Sequence, residues 1–285
     1  MRRGLWAIGL AIPALLAAVA GVGLLNAVAD PVERQAAIGL EDWPAGAAPI
    51  KVALVSDIHI GNVAMDAARL RRVVSQVEAA KPDLIVLAGD FVVGEDASGI
   101  EARAPRLTAP LRALRAPLGT LAVLGNHDYW TDAQRVSAAL TAAGVTVLDN
   151  QSVRRGPIVV AGISDAFSAH DDIGAALASG VGLGGPIVVL THSPDLAPRL
   201  PPGIPLVLAG HTHCGQVILP LIGMLPGQSP HEHGRRIYDP RYRCGVIQDP
   251  GRTVIVTGGV GSGTVPIRFG APPDFWLITL GPAGR

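Results

Sequence analysis

Short apolar runs alternate with amphipathic stretches through the first half of the chain, beginning near residue 50. Lys51–Ser56, Leu84–Ala88 and Leu121–Leu124 are largely apolar, as is typical of buried strands. Asp66–Ala80, between the first two runs, carries Leu and Val at helical spacing, which predicts an amphipathic helix. A strand, a helix and a second strand in succession predict a parallel sheet and therefore an α/β fold.

The rest of the chain is predicted to add more strands than helices. Residues 94–106 resemble a loop, a helix follows through Leu107, Leu111 and Leu114, and another covers Asp132–Ala143. Further strands are predicted at Val145–Leu148, Ile158–Gly162, Ile187–Leu190, Ile204–Ala209, Thr253–Thr257 and Phe275–Leu280.

The N-terminal segment has a different pattern, because Gly4–Ala29 contains no charged residue and follows Arg2 and Arg3. About 20 apolar residues suffice to span a bilayer, so we predict an uncleaved transmembrane helix. A cleaved signal peptide is the alternative, since Ala27-Val28-Ala29 has the small-x-small form that signal peptidase accepts. The predicted organisation is an anchor or signal over residues 1–29, a linker over 30–49 and a catalytic domain over 50–285.

The two arginines before the apolar stretch also predict the orientation of the anchor. Under the positive-inside rule Arg2 and Arg3 stay in the cytoplasm. We therefore expect a single-pass protein of the inner (cell) membrane whose catalytic domain lies on the outer or periplasmic side.

Composition excludes some partners. Lys+Arg and Asp+Glu both number 23, so the formal net charge is zero, whereas nucleic-acid binding normally needs a basic face. We expect no nucleic-acid partner. Cys214 and Cys244 allow one disulfide at most and leave the redox compartment open. Cys214 follows His213 and is interpreted as a small filler, with a reactive or metal-binding thiol as the alternative.

Polar side chains follow five of the predicted strands. A single His is more often a core or loop residue, but carboxylate, amide and imidazole groups together suit Mn²⁺, Fe, Co²⁺ or Zn²⁺. Seven candidate ligands exceed the needs of one tetrahedral ion and suit two ions that share a carboxylate, the arrangement that catalyses phosphoester hydrolysis. In chain order the polar residues are Asp57, His59, Asp90, Asn126, His127, Asp128, His192, His211 and His213.

The ordered motifs resemble those of the calcineurin-like metallophosphoesterases over about residues 50–280. They are Asp57-x-His59, Gly89-Asp90, Gly125-Asn126-His127-Asp128, His192 and Gly210-His211-x-His213. The resemblance implies a two-sheet α/β sandwich with two divalent metal ions at the strand ends, Mn²⁺ first and Fe, Zn²⁺ or Co²⁺ as alternatives.

The same resemblance implies a role for each residue of the motifs. His127 would be a non-ligand imidazole that steadies the transition state or protonates the leaving oxygen, and Asp128 would orient its ring. One ion would take Asp57, His59 and His213, the other would take Asn126, His192 and His211, and Asp90 would bridge them.

Within that family, the apolar N-terminal stretch and the Leu124–Trp130 motif resemble the single-anchor phosphodiesterases. That subgroup includes enzymes that cleave UDP-2,3-diacylglucosamine. Cys214 departs from its pattern, which has Gly there, so metal preference could differ. The predicted topology also conflicts with such a substrate, which would be met on the cytoplasmic side.

The sequence thus predicts a membrane-anchored two-metal hydrolase in which a metal-activated hydroxide cleaves a phosphodiester or pyrophosphate, possible substrates being lipids and nucleotide-linked molecules. Val217–Leu225 could line an acyl-chain groove or be a covered core segment. The alternatives are a broad-specificity phosphodiesterase acting on soluble substrates and a catalytically silent metal-binding module.

Three further stretches are given structural interpretations. His231-Glu232-His233 and His170 are interpreted as solvated loop residues, with substrate contact by the former as the alternative. Gly258–Gly263 is interpreted as a tight strand connection, with a phosphate cradle as the alternative.

Overall fold

Two six-stranded sheets pack face to face and enclose one of the three apolar cores. The computed structural model describes residue 14 and residues 17–94, 96–219, 221, 223–224 and 236–284. The predicted two-sheet α/β sandwich is confirmed. Strands are numbered β1–β14 in chain order and helices of seven residues or more α1–α4 from residue 67 onward.

The first sheet has the strand order β1-β14-β2-β3-β4-β5. The last four of these strands run parallel to one another, so their carboxyl ends lie at one edge. The strands are β1 Val32–Leu40, β2 Ile50–Val55, β3 Leu84–Ala88, β4 Thr120–Val123, β5 Thr146–Val147 and β14 Asp274–Pro282.

The second sheet has the order β12-β13-β9-β8-β7-β6, with antiparallel pairs only at its two edges. Its four central strands are parallel. The strands are β6 Gln151–Arg155, β7 Ile158–Ile163, β8 Ile187–Thr191, β9 Leu206–Ala209, β12 Gly245–Asp249 and β13 Arg252–Val256. A two-stranded ribbon is formed by β10 Ile218–Leu219 and β11 Gly223–Met224.

Helices cover the outer faces of both sheets. Three pack on the first sheet around a second apolar core, and the fourth packs on the second sheet in a third core. Asp66 caps α1, since its side chain accepts from the Arg69 N–H. The helices are α1 Ala67–Ala79, α2 Ile100–Leu111, α3 Asn126–Ala142 and α4 Ile173–Ser179.

Helix α3 begins six residues earlier than the helix predicted from Asp132. Asp128 explains the difference, because its side chain accepts from the backbone N–H of Gly125 at the N-cap position. Asp132 has non-helical dihedral angles and marks a kink inside the helix. The loop that precedes α3 is therefore shorter than predicted, and Asn126 and His127 lie in the first turn of the helix.

The prediction that residues 30–49 form only a linker is wrong. Val32–Leu40 is a nine-residue strand that pairs in parallel with β14. Alternate residues of this strand are exposed, and the inward positions are Arg34, Ala36, Ile38 and Leu40. This weak alternation, with an Arg among the inward residues, is why the apolar pattern did not reveal the strand.

The N-terminal apolar stretch is described only in part. Residues 17–28 are helical, whereas residues 4–13, 15 and 16 of the predicted anchor lie outside the described residues. No helix in the part of the chain that the structure describes is both long and apolar enough to cross a membrane. The predicted single-pass anchor is therefore not confirmed.

Candidate metal centre

The structure brings the predicted metal ligands together where the two sheets meet. Each follows the carboxyl end of a strand, and six of the seven are at least 94% buried. Asp57 and His59 follow β2, Asp90 follows β3, Asn126 follows β4, His192 follows β8, and His211 and His213 follow β9.

One group of ligand atoms comprises Asp57 Oδ1, His59 Nε2 and His213 Nε2. The two imidazole nitrogens are 3.1 Å apart, and His213 Nε2 lies 3.4 Å from Asp57 Oδ1. Ser56 and the His211 N–H both donate to the other oxygen, Oδ2 of Asp57. Oδ1 has no hydrogen-bond partner among the described residues, although it is buried. A buried oxygen without a donor, facing two imidazoles, fits a cation.

A second group comprises Asn126 Oδ1, His192 Nε2 and His211 Nδ1. His192 Nε2 lies 3.1 Å from each of the other two atoms. The far nitrogens of both rings contact backbone carbonyls, His192 Nδ1 that of Ala88 at 2.7 Å and His211 Nε2 that of Ile237 at 3.0 Å. A carbonyl only accepts, so those nitrogens carry the protons and the inward ones are free for a metal ion.

Asp90 lies between the two groups. Its Oδ2 is 3.4 Å from His59 Nε2 and 3.3 Å from His192 Nε2. Its other oxygen, Oδ1, accepts from the His127 N–H at 2.9 Å. The carboxylate is thus fixed from one side and offers one oxygen to both ligand groups.

Burial favours the neutral form of three imidazoles in the centre. It lowers the pKa of His59 to about 3 and that of His211 to about 4. The pKa of His213 is also well below its usual value, through burial first and then through His59 and Arg268. Neutral imidazoles keep a free nitrogen, the form that a metal ligand requires.

The carboxylates respond differently. Burial raises the pKa of Asp57 to about 6. Burial also acts to raise the pKa of Asp90, but His192, His127 and His59 outweigh it and hold that pKa well below its usual value. Asp90 in turn raises the pKa of His192 well above its usual range, against the effect of burial. The position between Asp90 Oδ2 and His192 Nε2 thus favours positive charge, which a bound cation would supply.

Five of the seven candidate ligands have a left-handed backbone, which sequence reasoning did not anticipate. Non-glycine residues rarely adopt positive φ, and such residues cluster at functional sites. The φ values are 53° for Asp57, 49° for His59, 56° for Asp90, 70° for His211 and 50° for His213.

Glycines leave room for these ligands. A Cβ on Gly125 would collide with the Asp90 carboxylate, and one on Gly89 would lie 2.6 Å from His192 Nδ1. Gly125 itself has φ −105°, so it is required for space rather than for an unusual turn.

His127 lies at the edge of the cluster and, like His213, is only partly buried. One of its ring nitrogens lies within 4.8 Å of ligand atoms of His59 and Asp90. Its Nδ1 donates to the Gly94 carbonyl at 2.7 Å, which fixes the tautomer.

The predicted hydrogen bond from Asp128 to the His127 ring is wrong. Both oxygens of Asp128 instead accept from backbone N–H groups, and Gly94 orients the ring. The four donors are Asp90, Phe91, Val92 and Gly125, at 2.9 to 3.2 Å. Asp128 therefore fixes the loop after β3 to the start of α3, because its capping geometry satisfies four buried donors.

Cys214 and Cys244 form a disulfide, with Cα atoms 4.8 Å apart. Cys214 is thus neither a passive filler nor a free thiol. Asp274 lies close to both cysteines, but because their thiols are joined, this trio is not a metal site in the disulfide form. The disulfide closes a loop from residue 214 to residue 244, and Cys214 directly follows His213 in the chain.

Sequence reasoning missed three residues beside the centre. Trp130 lies edge-on to His127 with ring centroids 5.0 Å apart, and Phe167 lies 4.8 Å from the His211 ring. Arg268 is fully buried and contacts His213. An Arg or an aromatic residue has no distinguishing signal in a single sequence, so only the fold reveals these neighbours.

The remaining sequence features are His170 and three short stretches. His170 is exposed and stacks on Tyr129 at 3.7 Å, so it is a surface residue as predicted. His231-Glu232-His233 lies outside the described residues, as does part of Val217–Leu225. Gly258–Gly263 connects β13 to the segment before β14, as predicted.

Comparison with known proteins identifies the family. The model of the calcineurin-like phosphoesterase family matches residues 50–215. A transmembrane protein with metallophosphoesterase domain from Danio rerio is 30% identical, covering 93% of this chain and 61% of the relative. An uncharacterized metallophosphoesterase of Aquifex aeolicus is 31% identical, covering 85% of this chain and 89% of the relative.

Similarity to solved structures is more distant. The crystal structure of a 5′-nucleotidase precursor from Thermus thermophilus matches with 17% identity and a TM-score of 0.46, over 81% of this chain and 55% of that one. This chain spans less than two thirds of the Danio rerio relative. The family match over residues 50–215 covers more than half of the sequence, and the chain therefore belongs to the calcineurin-like phosphoesterases, a family of metal-dependent phosphoesterases.

Proposed function

We propose that this protein is a two-metal hydrolase that cleaves a phosphodiester or pyrophosphate bond. The observation that carries the proposal is the position of Asp90 Oδ2, 3.4 Å from His59 Nε2 and 3.3 Å from His192 Nε2, with one ligand group on each side. Two bound ions would activate water and neutralise the oxygens of an in-line displacement at phosphorus.

The proposed ligand sets follow the two groups, with Asp90 shared. Carboxylate, amide and imidazole donors suit Mn²⁺, Fe, Co²⁺ or Zn²⁺, and we propose Mn²⁺ first. Asp57, His59 and His213 would hold the first ion, and Asn126, His192 and His211 would hold the second.

His127 is proposed to act on the leaving oxygen. Because Nδ1 is engaged with the Gly94 carbonyl, Nε2 is the ring atom that can deliver a proton. The side chain is only partly buried and lies next to both His59 and Asp90, so it can reach a phosphoryl group held at the centre.

We also propose that the N-terminal segment holds the catalytic domain near a bilayer, so that a lipid or a nucleotide-linked lipid is the substrate. The uncharged stretch Gly4–Ala29 and the names of the Danio rerio and Bos taurus relatives, both transmembrane proteins, support an anchor. The Cys214–Cys244 disulfide supports an oxidising location, since disulfides persist outside the cytosol.

The proposed activity is tested with the full-length chain in detergent. The protein is stripped of metal and titrated with Mn²⁺ while hydrolysis of bis(p-nitrophenyl) phosphate is compared with that of the monoester. We expect metal-dependent turnover of the diester at two ions per chain. Two bound ions without turnover of either probe would favour a strict lipid substrate or a silent metal-binding module, and a screen of lipid phosphodiesters would separate these. Fewer than two ions would contradict the proposal.

The proposed orientation is tested by protease treatment of sealed inner-membrane vesicles. A catalytic domain on the outer side is protected in inside-out vesicles and digested in right-side-out ones. The reverse pattern would place the domain in the cytoplasm and make a UDP-linked lipid the preferred substrate.

A further inference from the structure

Arg268 is a fully buried cation that lies behind the first ligand group. Among the described residues no carboxylate lies within ion-pair distance of its guanidinium, which donates instead to backbone carbonyls. Nε donates to Gly261 at 2.9 Å, Nη1 to Ala271 at 3.0 Å, and Nη2 to Gly258 at 2.7 Å. A planar group with five N–H donors can reach all these carbonyls at once, which a lysine cannot do.

The carbonyls of Gly258 and Gly261 belong to the turn at residues 258–261, whereas that of Ala271 lies between Arg268 and β14 in the chain. This turn packs on the loop that carries Asp57. The Gly261 N–H donates to the Asp57 carbonyl at 2.8 Å, and the Val260 N–H donates to the Ser56 carbonyl at 3.0 Å. A Cβ on Gly259 would lie 2.9 Å from Asp57 Oδ2, so the turn and the ligand are in direct contact. Arg268 therefore holds the turn against the backbone of a ligand that has a left-handed conformation.

The same guanidinium reaches a second ligand. Its Nη2 lies 3.1 Å from His213 Nδ1, on the side of the ring away from the ligand atom Nε2. Two ligands of the first ion, Asp57 and His213, are thus braced by one side chain. Because a guanidinium only donates, His213 Nδ1 accepts this hydrogen bond, whereas the outer ring nitrogens of His192 and His211 donate to carbonyls. Loss of residues that orient metal ligands typically reduces metal affinity 10- to 100-fold.

The backbone of Arg268 also contacts the N-terminal helical segment. Its N–H donates to the Gly23 carbonyl at 2.9 Å, and Asn26 Nδ2 donates to its carbonyl at 3.1 Å. Arg268 is therefore hydrogen-bonded both to the first ligand group and to the helical segment that belongs to the uncharged N-terminal stretch.

We propose that Arg268 is a positioning residue for the first metal ion, one that holds Asp57 and His213 in their ligand geometry without touching the ion or the substrate. This inference rests on the proposed two-metal function. The proposed role of Arg268 does not extend to the second ion, because Asn126, His192 and His211 make no contact with Arg268 in the described part of the chain.

The test compares Mn²⁺ binding to full-length wild type, R268K and R268Q in detergent by titration and electron paramagnetic resonance. Wild type is expected to give the spin-coupled signal of an ion pair. Both variants are expected to lose affinity for one ion about 10- to 100-fold and to show the six-line signal of a single ion at intermediate Mn²⁺. R252K is the control, since Arg252 also donates to two backbone carbonyls, those of Leu200 and Pro201, which belong neither to the ligand groups nor to the N-terminal segment.

Folded R268K and R268Q that bind both ions like wild type would overturn the inference. Wild type that binds fewer than two ions would instead contradict the proposed function. A measurement on wild type alone covers the case in which the variants do not fold. Amide hydrogen exchange of residues 258–263 is expected to slow at least tenfold when Mn²⁺ fills the first site, and exchange that is independent of Mn²⁺ would overturn the inference.

Discussion

At the scale of single residues, His127 and Asp128 are adjacent in sequence but make different kinds of contact. His127 presents its ring to the ligand cluster, whereas Asp128 points away and binds backbone N–H groups. The division follows from the first turn of α3, where residue N3 caps the helix.

Replacing His127 by alanine is expected to lower kcat by about 10²- to 10⁴-fold, the usual contribution of a general acid. Metal stoichiometry should stay at two, because His127 is not among the proposed ligands. Turnover of the diester and Mn²⁺ content check this expectation. H170A is the control, since His170 is exposed and stacks on Tyr129 rather than on a candidate ligand. Unchanged kcat in H127A would remove His127 from the mechanism.

Asp128→Asn is expected to reduce stability rather than act on the chemical step. The new amide would turn N–H groups toward backbone donors, leaving buried donors unsatisfied at a cost of about 1–3 kcal/mol. Denaturant unfolding of the metal-free protein measures the loss. D172N is the control, because Asp172 caps α4 through one backbone N–H and Asn caps equally well. Equal stability of D128N and wild type would contradict the assigned role.

At the scale of elements, the disulfide closes a loop that begins directly after the candidate metal ligand His213. The cysteines are 30 residues apart, so the chain-entropy model gives a stabilisation of about 3–4 kcal/mol. We expect a reductant to lower the Tm of wild type and to leave the C214S/C244S double variant unaffected. Differential scanning calorimetry with and without dithiothreitol measures this. Complete reduction without any change in Tm would contradict it.

The sequence predicted those elements whose own residues carry a strong apolar pattern. Strands β3 and β8 were found to within one residue, since all five residues of β3 are buried and β8 is almost as apolar. Edge strands such as β6 and β12 were missed, because exposed polar residues interrupt their pattern. Pairing with a distant strand stabilises them, and that information is absent from the local sequence.

The same limit determines which parts of the candidate metal centre could be predicted from the sequence. The convergence of the candidate ligands could be predicted because each follows a recognisable strand, and parallel strands end at a common edge. The contact of Arg268 with His213 could not, because it joins residues 55 positions apart through a buried side chain. The role that the family resemblance implied for Asp128 was wrong because its carboxylate accepts from four backbone N–H groups instead.

At the scale of the whole molecule, the N-terminal segment and the catalytic domain share a contact. A Cβ on Gly23 would lie 2.7 Å from the Phe269 ring and 2.9 Å from Ile267, whereas one on Gly21 would meet no atom within 4 Å. The helical segment therefore packs tightly against the catalytic domain at Gly23, whereas Gly21 faces open space.

Gly23→Leu is expected to push the segment away from residues 267–269 and to lower the affinity of the first ion by roughly 10-fold through Arg268. G21L places the same side chain two residues earlier, in open space, and should bind both ions normally. Mn²⁺ titration of the two full-length variants makes the comparison. Equal affinities would mean that the N-terminal segment and the metal centre are independent.

The left-handed ligands also carry an implication for how such a centre is lost. A left-handed residue with a Cβ costs about 1–2 kcal/mol, a penalty that glycine avoids. With His211 at φ 70°, metal-free H211G should be more stable than metal-free H211A by about 1 kcal/mol, as measured by denaturant unfolding. Equal stabilities would mean that the loop relaxes once the ligand is gone. If the difference is found, relatives that have lost metal binding are expected to carry glycine at these positions. A glycine there would then identify a related sequence that has lost its metal centre and its activity.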